Sequence, residues 1–178
     1  MKSRHLLLLS TLFTPALQAE VQHIDTYGFI VSNQVLVRTE PEQSWRALVE
    51  DVGKWWPADH SWWGKAENFS IEARAGGCFC EINGDSQAQH MQISFVEPAK
   101  LLRMTGGLGP LQGMGLYGAL DWQFEAVEGG TRITLSYKVH GYAPNGFKDL
   151  APIVDQVQGL QLGGLGKHLG MLGPAGTN

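Results

Sequence analysis

The chain has 178 residues, 43% hydrophobic and 10% aromatic, which suits one domain with a real core. Its formal charge of −4 includes no basic stripe and no run of Lys or Arg, so nucleic acid and anionic membrane surfaces are poor partners.

Met1 to Ala19 has Lys2, Arg4 and His5 at the start, an apolar middle from Leu6 to Leu17, and a Gln18-Ala19 end. That is the layout of a secretory signal peptide, with cleavage expected after Ala19. The apolar run is too short to span a bilayer comfortably, and a retained N-terminal anchor is the alternative. No cysteine follows the run, which argues against a lipid anchor. Losing Lys2 and Arg4 with no acid takes the charge from −4 to −6. Residues 20–178 are then expected to form a single soluble domain, periplasmic or secreted, with no integral membrane span.

The residues Tyr27, Phe29, Val31, Val35 and Val37 alternate along a long first strand. Thr39 as cap, Pro41 in the first turn and Glu42 start a short helix that buries Trp45, Leu48, Val49 and Val52 and ends at Gly53. Four of the six tryptophans follow in an irregular segment: Trp55, Trp56, Trp62 and Trp63. Such aromatics either line the mouth of an apolar cavity or plug the end of the sheet.

From Asn68 to Ala75 the pattern alternates again, with Phe69, Ile71 and Ala73 on one side. Gly76-Gly77 turns the chain into Cys78-Phe79-Cys80-Glu81-Ile82, and Asn83-Gly84-Asp85 turns it into a strand with Met91, Ile93 and Phe95 on one face. An even cysteine count in an exported chain suggests a disulfide. Residues two apart on a strand sit at the far limit of disulfide reach, so a bond needs a bulge or strain. Two thiols facing the interior beside Ile82 are the favoured reading. A metal site lacks further ligands at suitable spacing.

Residues 100–105 form another strand before the turn Gly106-Gly107-Leu108-Gly109-Pro110-Leu111-Gln112. Leu120, Trp122 and Phe124 then share one face of a strand, and Ile133, Leu135, Tyr137 and Val139 share one face of the next. Strict alternation describes a sheet with one covered and one wet face. Glu128-Gly129-Gly130-Thr131 is the hairpin turn between them. The total is seven strands, mostly joined by short turns. Phe147, Leu150, Val154 and Val157 recur at helical spacing, with Leu160 continuing from Ile153 and Val157, so a helix covers the sheet. The glycines at 159, 163, 164, 166 and 170 predict fraying beyond about Gly163 and disorder in the last residues.

Trp55-Trp56-Pro57, Gly76-Gly77-Cys78-Phe79-Cys80-Glu81, His90-Met91, Leu108-Gly109-Pro110-Leu111-Gln112 and Tyr137-Lys138-Val139-His140-Gly141-Tyr142 together resemble the START/Bet v 1-like superfamily, also called SRPBCC. They resemble in particular a bacterial branch named for the Hsp90-ATPase activator domain or for polyketide cyclases. The resemblance covers essentially the whole mature chain. It implies an α+β helix-grip fold: a curved antiparallel sheet of about seven strands wrapped around a long C-terminal helix, enclosing an apolar cavity. It also implies a small hydrophobic ligand. Hsp90 itself is not an expected partner, because an exported protein would not meet it.

No cofactor is expected. Gly166-Lys167 is followed by His168, and Gln161 stands where a phosphate-binding loop needs its first glycine, so an ATPase is excluded. Gly113-Met114-Gly115-Leu116-Tyr117-Gly118 leads into a strand, which denies a dinucleotide the helix N-terminus it needs. The weak catalytic candidates are Glu81, His60 and Asp59. Glu81 is expected on the wet face or paired with Arg103, and His90 and His140 on the wet face. Expected ligand-binding residues are Trp55, Trp56, Trp62, Trp63, Leu108 and Leu111, together with Cys78, Cys80, Met91 and Met104. The leading expectation is an exported, non-catalytic binding protein. A cyclase- or hydratase-type enzyme acting in the same cavity is the alternative, and an interaction domain without ligand a third.

Overall fold

The structure, a computed structural model, describes residues 19–172. The signal-peptide reading and the expected disorder of the last residues fall outside them. The strands are β1 (Ala19–Ile24), β2 (Gly28–Val37), β3 (Phe69–Ile71), β4 (Cys78–Asn83), β5 (Ser86–Glu97), β6 (Leu101–Gly106), β7 (Tyr117–Val127) and β8 (Gly130–His140). They form one open antiparallel sheet in the order β1-β2-β8-β7-β6-β5-β4-β3. The helices are α1 (Pro41–Glu50), α2 (Val52–Trp55), α3 (Pro110–Gly113) and α4 (Leu150–His168). The eighth strand, against seven expected, is β1, which pairs antiparallel with β2.

The alternating residues of β7 and β8 point where their pattern demands. Leu120, Trp122, Phe124, Ile133, Leu135, Tyr137 and Val139 are all buried. Several boundaries differ from the sequence reading. Glu40, not Thr39, occupies the N-cap of α1, while Thr39 Oγ1 bonds the Ser44 hydroxyl at 2.7 Å. Gly53 lies inside α2 rather than ending α1. The strand expected over 68–75 keeps only the three residues of β3.

The hand of β4 is the opposite of that expected. Phe79 and Glu81 are buried, whereas Ile82 is exposed and both cysteines are half-buried. Cys78 and Cys80 are joined by a disulfide rather than being thiols in the interior. Their Cα atoms are 5.3 Å apart, shorter than the roughly 6.6 Å that two steps of regular strand would give. The pairing register with β5 shifts between Phe79 and Cys80, inside the bonded pair.

α4 runs unbroken through His168, past Gly163, and packs on β2, β1 and α2. Its glycines explain why. A Cβ at Gly159 would stand 3.0 Å from Asn33 Oδ1, one at Gly166 would stand 3.0 Å from Val35 Cγ2, and one at Gly164 would collide with the Trp55 carbonyl oxygen. The packing that close approach permits offsets the helix propensity these residues lack. The buried stripe includes Ala151, Val154, Gln158, Gln161, Leu162 and Leu165, while Ile153 and Leu160 are exposed. Asn33 of β2 donates to Asp155 Oδ1 at 2.9 Å across this interface.

Candidate functional site

Between the aromatic segment after α2, the α3 segment and α4 lies a cavity of about 290 Å³. Trp56, Trp62, Leu108 and Leu111, four of the residues singled out from the sequence, line it. Pro110, Met114, Leu150, Ile153, Val154 and Val157 complete its apolar wall. The polar lining comes from Asp59, His60, Ser61, His90, Gln158 and Gln161, with Tyr137 alongside.

The other expected binding residues lie elsewhere. Trp55 is buried beneath the site, where its indole N–H donates to the Ala47 carbonyl at 3.0 Å. Met91 and Met104 sit in the core, where with Trp55 they line a void of only about 10 Å³. Trp63 does not reach the cavity wall. Cys78 and Cys80 are on the opposite side of β4 from Phe79 and so do not line it.

His90 reaches the cavity through a β-bulge. β4 pairs Phe79 with Met91 and Cys80 with Gln89, which leaves His90 as an extra residue on β5. The bulge turns His90 to the side that Met91 occupies, and both are buried, contrary to the expected wet-face position. The imidazole lies between Phe69 at 5.1 Å and Trp62 at 6.5 Å, stacked with both.

Glu81 stands behind His90 rather than on the surface. Its carboxylate accepts from Ser61 Oγ at 2.5 Å, from the Trp62 amide at 3.1 Å, from the Trp63 amide at 3.3 Å and from His90 Nε2 at 3.1 Å. Arg103, its expected partner, instead makes a two-pronged pair with Asp121 at 2.7 and 2.8 Å. Burial pushes the Glu81 pKa up, but hydrogen bonds led by that from Ser61 outweigh it and leave the carboxyl below its ordinary value. Burial holds His90 below its ordinary value despite the carboxylate beside it. At neutral pH the pair is therefore a carboxylate and a neutral imidazole that donates from Nε2.

Tyr137 fixes the glycine-rich segment. Its hydroxyl donates to the Gly106 carbonyl at 2.8 Å and accepts from the Leu108 amide at 3.0 Å. Burial raises its pKa to about 12. Gly109 precedes α3 with φ of 56°, a left-handed conformation suited to glycine. Gln112 reaches from α3 to the Gln89 carbonyl at 2.7 Å, beside the bulge that carries His90.

An antiparallel sheet backing a long C-terminal helix, with a cavity at one end of their interface, defines a helix-grip protein of the START/Bet v 1-like superfamily. The family model described as "Activator of Hsp90 ATPase homolog 1-like protein" matches residues 38–161, and the chain belongs to that family. No curated protein matches it. Among solved structures, it is similar to a conserved protein of unknown function from Enterococcus faecalis, with TM-score 0.58 and 14% identity over 83% of this chain and 74% of that one. It is also similar to CalU16 from Micromonospora echinospora, with TM-score 0.57 and 14% identity over 86% of each chain. Aha1 from Colwellia psychrerythraea, solved as a dimer, gives TM-score 0.57 and 15% identity over 79% of this chain and 95% of that one. At these identities the likeness is one of fold. Among the described residues no helix is long and apolar enough to cross a membrane.

Proposed function

We propose that the protein is an exported binding protein for a small, mainly apolar molecule, held between the aromatic segment, the α3 segment and α4 without being chemically changed. The observation that carries this reading is the cavity of about 290 Å³ with its largely apolar wall. It is about twice the volume of the ~150 Å³ apolar void that admits benzene, so a molecule of about two fused rings fits. Burial of apolar area, at roughly 25 cal/mol per Å², drives such binding. Export is supported by Lys2, Arg4 and the apolar run before Ala19. In that compartment Hsp90 is not a partner, whatever the family's name.

The experiment is native mass spectrometry of protein purified from the periplasm of an expressing bacterium, followed by solvent extraction. The expected result is a mature chain beginning at Glu20 that releases one small molecule on denaturation. A ligand-free mass under several growth conditions overturns the carrier reading, and an uncleaved N-terminus overturns export by signal cleavage.

A second reading, an enzyme of cyclase or hydratase type, is favoured by one specific observation. Asp59, His60 and His90 line the same cavity, and Glu81 holds the His90 ring in place. Incubating the extracted molecule with fresh protein separates the two readings. Recovery unchanged supports the carrier, and conversion that His90→Gln abolishes supports the enzyme.

A further inference from the structure

We infer that the ligand is a neutral molecule bearing a hydroxyl or similar hydrogen-bond donor, and that Gln158 of α4 receives it. This rests on the cavity being a binding site, as proposed above. Gln158 is 1% exposed and lines the cavity. Its amide nitrogen donates to Gln161 Oε1 at 3.0 Å, and its own carbonyl oxygen, Oε1, is buried with no hydrogen-bond partner. A buried amide oxygen left in this state is costly, and a ligand donor would relieve it. Gln161, also on the cavity wall, has an amide NH₂ that the pair does not use. The two side chains thus offer one acceptor and one donor group, and turning both amides over exchanges their roles without changing that complement. A hydroxyl, which both donates and accepts, matches it.

Other buried polar atoms place the ligand's polar end no differently. Asn33 Oδ1, also without a partner, is covered by Gly159, where even a Cβ would stand only 3.0 Å away. His60 Nδ1 is the second such atom on a cavity-lining residue, so the site has a further polar contact to offer. Charge restricts the ligand as well. Among the described residues no Lys or Arg lines the cavity, whereas Asp59 does. A carboxylate or phosphate would enter without a counter-charge and beside a carboxyl group.

Three probes of nearly equal size test this: naphthalene, 2-naphthol and 2-naphthoate, each titrated calorimetrically into the mature protein at pH 7.5. The expected order is 2-naphthol tighter than naphthalene by about tenfold, the worth of one buried hydrogen bond, with 2-naphthoate weakest. In Gln158→Met the ratio of naphthol to naphthalene affinity should fall to about one. That ratio is taken within one preparation, so partial loss of folded protein cancels from it. Equal affinities for naphthol and naphthalene in the wild type overturn the inference while leaving the cavity as a binding site. So does a preference that survives Gln158→Met. Failure of all three probes to bind overturns the binding reading itself.

Discussion

His90 Nε2 donates to Glu81 Oε2 at 3.1 Å within a wall that separates the cavity from the core. A carboxylate is acceptor-only, so the imidazole must supply the proton in this bond. The same carboxylate holds Ser61, Trp62 and Trp63, and hence one lip of the cavity. One buried acid thereby positions both a titratable wall residue and the aromatic loop.

Glu81→Gln should destabilise the protein by roughly 3 kcal/mol, because an amide presents N–H to donors that expect an oxygen and removes the charge that strengthens four hydrogen bonds. Urea denaturation should show a lower midpoint at an unchanged slope. A midpoint equal to the wild type would mean that Glu81 does not anchor the loop.

Acid should weaken the fold in two stages. His90 has a folded pKa below its ordinary 6.5, so the unfolded chain binds more protons as pH falls through that value, and stability declines from there down to the folded pKa. Glu81 has a folded pKa below 4.5, so its contribution is present above 4.5 and is lost as pH falls through the folded value. The exposed Asp25 and the half-buried Asp51 act in the same direction, weakly because solvent screens them. Urea midpoints between pH 8 and 3 should fall with acid, and His90→Gln should flatten the upper stage.

Neighbouring glycines of α4 should respond in opposite directions. A Cβ at Gly163 meets nothing within 4 Å, so Gly163→Ala should stabilise by up to about 1 kcal/mol. Gly164→Ala drives a Cβ into the Trp55 carbonyl oxygen and should destabilise by roughly 2 kcal/mol or more. Thermal melts of the two variants check the contrast directly. Similar shifts would mean that α4 does not lie against Trp55.

Tyr137→Phe leaves the Leu108 amide and the Gly106 carbonyl without their shared hydroxyl, at a cost of about 1–3 kcal/mol. The loss should be local first. Hydrogen exchange should accelerate across 106–112 before it does in β7 or β8, and the cavity wall at Leu108 and Leu111 should loosen with it.

Iodoacetamide should leave Cys78 and Cys80 unmodified in the folded protein until a reductant is added, because they are bonded to each other. Intact-mass measurement would read two added groups after reduction and none before it.

Much of the fold was legible because its signals are local and repeated. The alternation of Leu120, Trp122 and Phe124, and of Ile133, Leu135, Tyr137 and Val139, follows from a period of two that any half-buried strand must obey. The stripe from Phe147 to Val157 announced the C-terminal helix in the same way. Trp56, Trp62, Leu108 and Leu111 line the cavity, and the sequence marks them as large apolar side chains on irregular segments. Gln158 and Gln161 were missed, because the stripe read through Phe147, Leu150, Val154 and Val157 was continued through Ile153 and Leu160, which the structure exposes, whereas the two glutamines are buried.

The rest depended on contacts between distant segments. One extra residue at His90 reverses the side on which it lies, and no periodicity within β5 shows that its partner strand omits it. The inward turn of Phe79 and Glu81 follows from that pairing and from Ser61, some twenty residues away, rather than from the alternation of Cys78, Cys80 and Ile82. The glycines of α4 look like helix breakers in isolation and become close-packing positions only when β2 and Trp55 lie against them. Local pattern was enough for the fold class, for most of the long strands and for the existence of the C-terminal helix. The tertiary structure alone decided which polar groups were brought to the cavity, because that choice rests on strand register, a bulge and backbone proximity, none of which has a local code.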